Sequence, residues 1–104
     1  MTITISKLTF SNHFRTDRTG RYETFQRIGF GQIVKQQWYN GCWHCLTDMG
    51  IMLIVDEAGN YCMTAYFADW VEVNRIYQGN VPRAIKKRID RNVSYGYTKA
   101  RYKG

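Results

Sequence analysis

Three runs, "CWHCLTD", "IMLIV" and "YCMTAYF", follow one another across residues 42–67, separated only by "MG" and "DEAGN". Both connections are short and carry glycine, which predicts three strands joined as an antiparallel meander. The middle run has five consecutive apolar residues, Ile51 to Val55, so it is the central strand and is covered on both faces. Whatever else the chain does, it must build around that strand.

The flanks read as helical. Ser11 and Asn12 suit an N-cap, so "SNHFRTDRTG" predicts a short helix closed by Gly20. "RYETFQRIGFGQIVKQQ" predicts a second helix on the spacing of Phe25, Ile28, Ile33 and Val34, weakened by Gly29 and Gly31. After the meander, Trp70, Val73 and Tyr77 recur at helical spacing, opened by Asp69 and closed by Gly79. "NVPRAIKKRIDRN" predicts a last helix, with Asn80 as cap, Pro82 in the first turn and a narrow apolar face of Ala84, Ile85 and Ile89. "TITISKLTF" has strand-like alternation and reads as an edge strand or an arm over the core, and "SYGYTKARYKG" as a last strand or a tail. The expected fold class is α+β: a three- to four-stranded antiparallel meander with helices packed on one face.

At 104 residues, with one proline, no linker composition and no repeat, residues 1–104 form a single expected domain. No apolar run is long enough for a membrane span, and the first residues lack a signal-peptide pattern. An odd count of three cysteines then points to free thiols in a reducing compartment, so the expected location is cytoplasmic.

The opening tetrad "CWHC" invites a metal or redox reading. In a strand, Cys42 and His44 face one way while Trp43 and Cys45 face the other, so the two sulfurs diverge. No second Cys-x-x-Cys or His-x-x-x-His completes a zinc site, and "LTDMG" is a turn where a reactive dithiol needs a helix N-terminus. The strand reading is favoured; neither a metal nor a cofactor is expected. On the third strand Thr64 and Tyr66, with Cys62, share one side, and Tyr61, Met63, Ala65 and Phe67 the better core side. A face bearing Thr64, Tyr66 and His44 would receive a ligand if left open, or be a helix-covered face with satisfied polar groups.

Charge carries the functional content. Fifteen Lys and Arg stand against eight Asp and Glu, a net +7. Residues 81–104, the basic C-terminal helix and tail, hold Arg83, Lys86, Lys87, Arg88, Arg91, Lys99, Arg101 and Lys103 against Asp90 alone. Such a segment attracts polyanions, though it also reads as a solubilising tail. Tyr95 and Tyr97, set among cations, suit stacking on unpaired bases. His13, Arg15, Arg18 and Arg21 form a second cationic concentration: the arginines suit phosphate clamping, and His13 or His44 suits proton transfer near neutral pH.

"NHFRTDRTGRY" opens with His-x-Arg-x-x-Arg and precedes a helical segment and then the "TDMGIMLIVDEAGNYCMTAYF" meander. Over roughly residues 11–77 this order resembles small RelE/barnase-type ribonuclease-fold proteins of phages, plasmids and toxin–antitoxin loci. The resemblance implies one or two N-terminal helices on a four-stranded antiparallel sheet, an RNA-binding open sheet face, and cations that stabilise a phosphorane-like transition state. It places Tyr95, Tyr97 and Arg101 in the site; the Glu–His pair of some such enzymes has no counterpart here.

The expected function is therefore a small basic mobile-element protein that binds RNA or other single-stranded nucleic acid, and at most cleaves it without metal. The alternative is a phage-encoded, anti-CRISPR-like inhibitor that binds a host defence nuclease or its guide RNA. Tyr, Trp and Arg are the favoured anchors of such interfaces. Small-molecule chemistry is disfavoured, since the chain has no phosphate loop, no Gly-x-Ser-x-Gly and no paired carboxylate site.

Overall fold

The computed structural model describes residues 2–17 and 19–98. The predicted meander is present as β3 (Cys42–Thr47), β4 (Ile51–Val55) and β5 (Tyr61–Phe67), paired antiparallel in that order. Two further strands extend it. β1 (Thr9–Phe10) lies parallel to β5, and β2 (Ile33–Tyr39) lies antiparallel to β3, giving a mixed five-stranded sheet in the order β1-β5-β4-β3-β2. The expectation of three or four purely antiparallel strands is thus corrected. A two-residue parallel pairing formed at long range leaves no local pattern in the sequence. β2 replaces the end of the predicted second helix: after Ile33 and Val34 the polar Lys35, Gln36 and Gln37 carry no alternation, and pairing with β3 alone makes it a strand.

The turns explain the register. Asn40 and Gly41 both have φ in the left-handed region, 55° and 84°, as the tight turn between β2 and β3 needs. Thr47 closes the β3–β4 turn by accepting the amides of Met49 and Ile51 on Oγ1, each at 3.2 Å. Asp56 closes the β4–β5 turn by accepting the amides of Asn60 and Tyr61 at 3.0 Å, and these bonds lower its pKa.

Helices cover both faces of the sheet rather than one. α1 (Asn12–Asp17) and α2 (Thr19–Ile28) lie over the first face, where Phe14, Phe25 and the N-terminal Ile3 pack on Cys45, Ile51, Leu53, Val55 and Ala65. Ser11 caps α1: its hydroxyl accepts the Phe14 amide at 3.0 Å and donates to the Met63 carbonyl at 2.7 Å, tying the helix to β5. Gly20 lies inside α2 and does not close a helix; the stop comes at Gly29, whose amide bonds the Phe25 carbonyl at 2.8 Å.

α3 (Trp70–Tyr77) and α4 (Arg83–Ser94) lie over the second face, where Val73, Ile76, Ile85 and Ile89 pack on Leu46 and Met52. α3 opens on a capping box: Asp69 accepts the Glu72 amide at 3.0 Å, and Glu72 returns a carboxylate oxygen to the Asp69 amide at 3.3 Å. At the start of α4 Pro82 takes the cap position, with no side-chain cap from Asn80, and Ala84 is exposed; the inward residues are Ile85, Ile89 and Asn92. Residues 95–98 follow as turn and bend, not as a strand.

Asn92 is the polar bolt of this second layer. It is fully buried, donates from Nδ2 to the Met49 carbonyl at 3.0 Å, and accepts from Arg88 Nε at 3.2 Å. Gly50 beside it has φ +76°, and a Cβ there would fall 2.5 Å from Asn92 Nδ2. Asn92→Ala strands the Met49 carbonyl and is expected to cost about 1–3 kcal/mol, and Gly50→Ala is expected to destabilise as well through its positive φ. Urea unfolding with an unchanged slope checks both; wild-type stability in either variant would contradict this account.

Candidate nucleic-acid interface

With Ile85, Ile89 and Asn92 turned inward, the geometry of α4 decides where its cations go. Arg83, Lys87 and Arg91 stand at i, i+4 and i+8 on the opposite side, all exposed. Eight residues of helix make this stripe about 12 Å long. Lys86 is exposed beside it, whereas Arg88 turns inward to Asn92. Tyr95, just past Arg91, is 59% exposed and meets Tyr97 edge-on at 5.6 Å; Tyr97 in turn stacks on Phe67 at 4.6 Å with 12° between planes. Lys99 and Arg101 lie outside the described residues, as does Arg18.

The strand face carrying His44, Thr64 and Tyr66 is covered by α3. His44 and Thr64 sit on either side of Ile54 in register, and Tyr66 pairs with Met52. Tyr66 donates its hydroxyl to Glu72, and burial together with that bond pushes the phenol pKa well up. Arg75 reaches down from α3, donating to His44 Nδ1 at 3.0 Å and to Gln37 Oε1 at 3.3 Å, with its Cζ 4.0 Å from the centre of the Tyr39 ring. A guanidinium only donates, so Nδ1 holds the lone pair and the ring proton sits on Nε2, 3.5 Å from Cys42 Sγ. Burial first, and the Arg75 charge second, lower the His44 pKa, so the ring is held neutral.

Cys62 does not share that face. A bulge between Ile54 and Val55 pairs Val55 with Cys62 and turns Cys62 into the first core, while Met63, counted as a core residue from its spacing, is exposed. Burial pushes the thiols of Cys45 and Cys62 up to about 12. In "CWHC", Cys42 and Cys45 point to opposite sides of β3, and among the described residues no three His, Cys, Asp or Glu side chains gather as a metal site.

The N-terminal cations divide. His13 and Arg15 are exposed on α1, over the first face, so the structure does not bring His13 and His44 together. Arg21, half-buried on α2, donates from Nη1 to the Ala65 carbonyl at 3.1 Å. It shares a cleft of about 340 Å³ with Tyr66, Phe67, Asp69, Glu72, Tyr97 and Thr98. The two carboxylates of this cleft are legible in the sequence only as a cap, Asp-x-x-Glu before an apolar run. Arg75 and Gln37 had no sequence signal, because only the tertiary fold brings them to His44.

No protein-family model, curated protein or solved structure matches the chain, so the site itself carries the functional argument. No helix among the described residues is long and apolar enough to cross a membrane.

The lowered His44 pKa has a definite sign for stability. Above the unfolded value of about 6.5 the ring is neutral in both states. Below it the unfolded chain takes the proton first, so stability falls as pH drops from about 6.5 towards the folded value. His44→Gln, which keeps an acceptor for Arg75, is expected to flatten this loss between pH 7 and pH 5.5. Urea unfolding at pH 7, 6.5 and 5.5 compares the two slopes, and identical slopes would refute the assignment.

Proposed function

We propose that the chain is a nucleic-acid-binding module that grips phosphates along α4 and favours single-stranded RNA over duplex DNA. The observation that carries this reading is the exposed stripe of Arg83, Lys87 and Arg91 on a helix anchored from behind by Ile85, Ile89 and Asn92. A rigid row of cations releases counterions from a polyanion without having to be ordered first. The exposed ring of Tyr95 at the end of the row offers a surface on which an unpaired base stacks. Duplex reading by a helix in the major groove needs base-contacting side chains on the exposed face. Arg83, Lys87 and Arg91 serve phosphates of either nucleic acid, and it is the exposed ring of Tyr95 that favours an unpaired strand over a duplex.

A second reading, an inhibitor that docks on a nuclease, is favoured by one observation. The edge strand β2 exposes Val34, Trp38 and Tyr39, with Trp38 46% exposed. Large apolar side chains on a long open edge suit a protein partner.

The test is fluorescence anisotropy with an unstructured 20-nucleotide RNA across a salt series. Each neutralised phosphate contributes about 0.7 to the slope of log K against log salt for single strands. Replacing Arg83, Lys87 and Arg91 together by Gln is expected to flatten that slope by about 2 and to leave unfolding stability unchanged. An unchanged slope removes α4 from the interface. If wild-type protein shows no salt-sensitive binding at all, the inhibitor reading takes precedence.

A further inference from the structure

We propose that the cleft between α2, the end of β5 and the start of α3 receives one unpaired guanine base. The inference rests on the nucleic-acid reading for its class of ligand, but on different atoms.

The cleft, about 340 Å³, is large enough for a single base with part of its sugar. Its aromatic side is formed by Phe67 and Tyr97, stacked on each other, together with Tyr66. Its polar groups fall into two kinds. Asp69 and Glu72 offer only acceptors. Their capping duties engage Asp69 Oδ1 with the Glu72 amide, Glu72 Oε1 with the Asp69 amide, and Glu72 Oε2 with the Tyr66 hydroxyl. A carboxylate has roughly four acceptor positions, so both retain capacity towards a ligand. Arg21 offers only donors, and its bond to the Ala65 carbonyl fixes the guanidinium at the cleft.

Thr98 adds an independent sign. It lines the cleft and is 8% exposed, yet its Oγ1 has no hydrogen-bond partner among the described residues. A buried hydroxyl without a partner is uncommon enough to call for an explanation, and a bound polar group supplies one.

These demands select among the bases. A site lined by two carboxylates and a guanidinium favours a ligand with adjacent donors on one edge and adjacent acceptors on another. Guanine has both: N1–H and the N2 amino group face a carboxylate, and O6 with N7 accept from an arginine. Adenine sets one donor beside one acceptor on the pairing edge, cytosine one donor beside two acceptors, and uracil a single donor between two acceptors, so none of the three offers adjacent donors. Continuity with α4 supports the same occupant. The cationic stripe ends at Arg91, Tyr95 follows, and the Tyr95–Tyr97–Phe67 ring series leads into the cleft.

The experiment titrates the full chain with 5′-GMP, AMP, CMP and UMP and follows backbone amide resonances. GMP is expected to shift the amides of Phe67, Asp69 and Thr98, and to bind at least about tenfold tighter than the other three nucleotides. Asp69→Asn keeps a competent cap while removing a carboxylate, and Thr98→Val removes the unpartnered hydroxyl with little change of shape. Both are expected to fold as wild type, and Asp69→Asn to lose the preference for GMP. The triple Gln variant of α4 is expected to keep it while losing RNA affinity. Equal responses to the four nucleotides, no response, or shifts confined to other regions would overturn the guanine site. Salt-sensitive RNA binding through α4 would survive that result. GMP binding without any RNA binding would uphold the pocket and overturn the phosphate-gripping function.

Discussion

Burial of β4 on both sides governs the rest of the molecule. Ile51, Leu53 and Val55 enter one core and Met52 and Ile54 the other, between two strands that leave it no route to solvent. Exposing either side would forfeit about 25 cal/mol for each Å² of apolar surface returned to water. A single layer of helices therefore does not suffice. The N-terminal segment, α1 and α2 cover one side, α3 and α4 the other, and the chain must pass around the sheet end to supply both.

Covering the second face has a cost that the sequence meets locally. β3 and β5 place His44 and Tyr66 on the face that α3 must close, and a polar group buried without a partner is expensive. α3 brings the partners with it: Glu72 takes the Tyr66 hydroxyl while completing the cap of its own helix, and Arg75, one turn on, takes His44 and Gln37 and lies against the Tyr39 ring. The helix is thus held by apolar contacts at Val73 and Ile76 and oriented by charged contacts on either side.

Local signals were the legible ones. β3, β4 and β5 could be read because their turns carry Gly and their runs are short and apolar. α3 could be read because Asp69 and Gly79 punctuate it. The spacing of Ile85 and Ile89 likewise shows which side of α4 turns inward, and hence that Arg83, Lys87 and Arg91 face out. What escaped depends on distant partners. β1 pairs with a strand some fifty residues away, and the polar β2 is defined by the edge it completes. The bulge at Val55 reversed the side assigned to Cys62, since one extra residue moves a side chain to the opposite face. The polar face of His44, Thr64 and Tyr66 stood between open and helix-covered for the same reason: no spacing within β3 or β5 announces that Arg75 will lie across it.

A row of cations alone attracts any polyanion and reads nothing. In the proposed interface, discrimination has to come from groups that reject phosphate and accept bases, and carboxylates do both. Asp69 and Glu72 line a cleft in a protein whose net charge of +7 resides in its final segment. A strand lying along Arg83, Lys87 and Arg91 keeps its phosphates on the helix, because moving one towards the cleft brings it against two carboxylates. A base would gain by entering there, its donors meeting those carboxylates and its acceptors the Arg21 guanidinium. The capping box explains why Asp69 and Glu72 suit the start of α3, but a cap is satisfied as well by Ser or Thr with Gln. The choice of two carboxylates beside Arg21 favours a ligand that presents N–H donors to them and acceptors to the guanidinium.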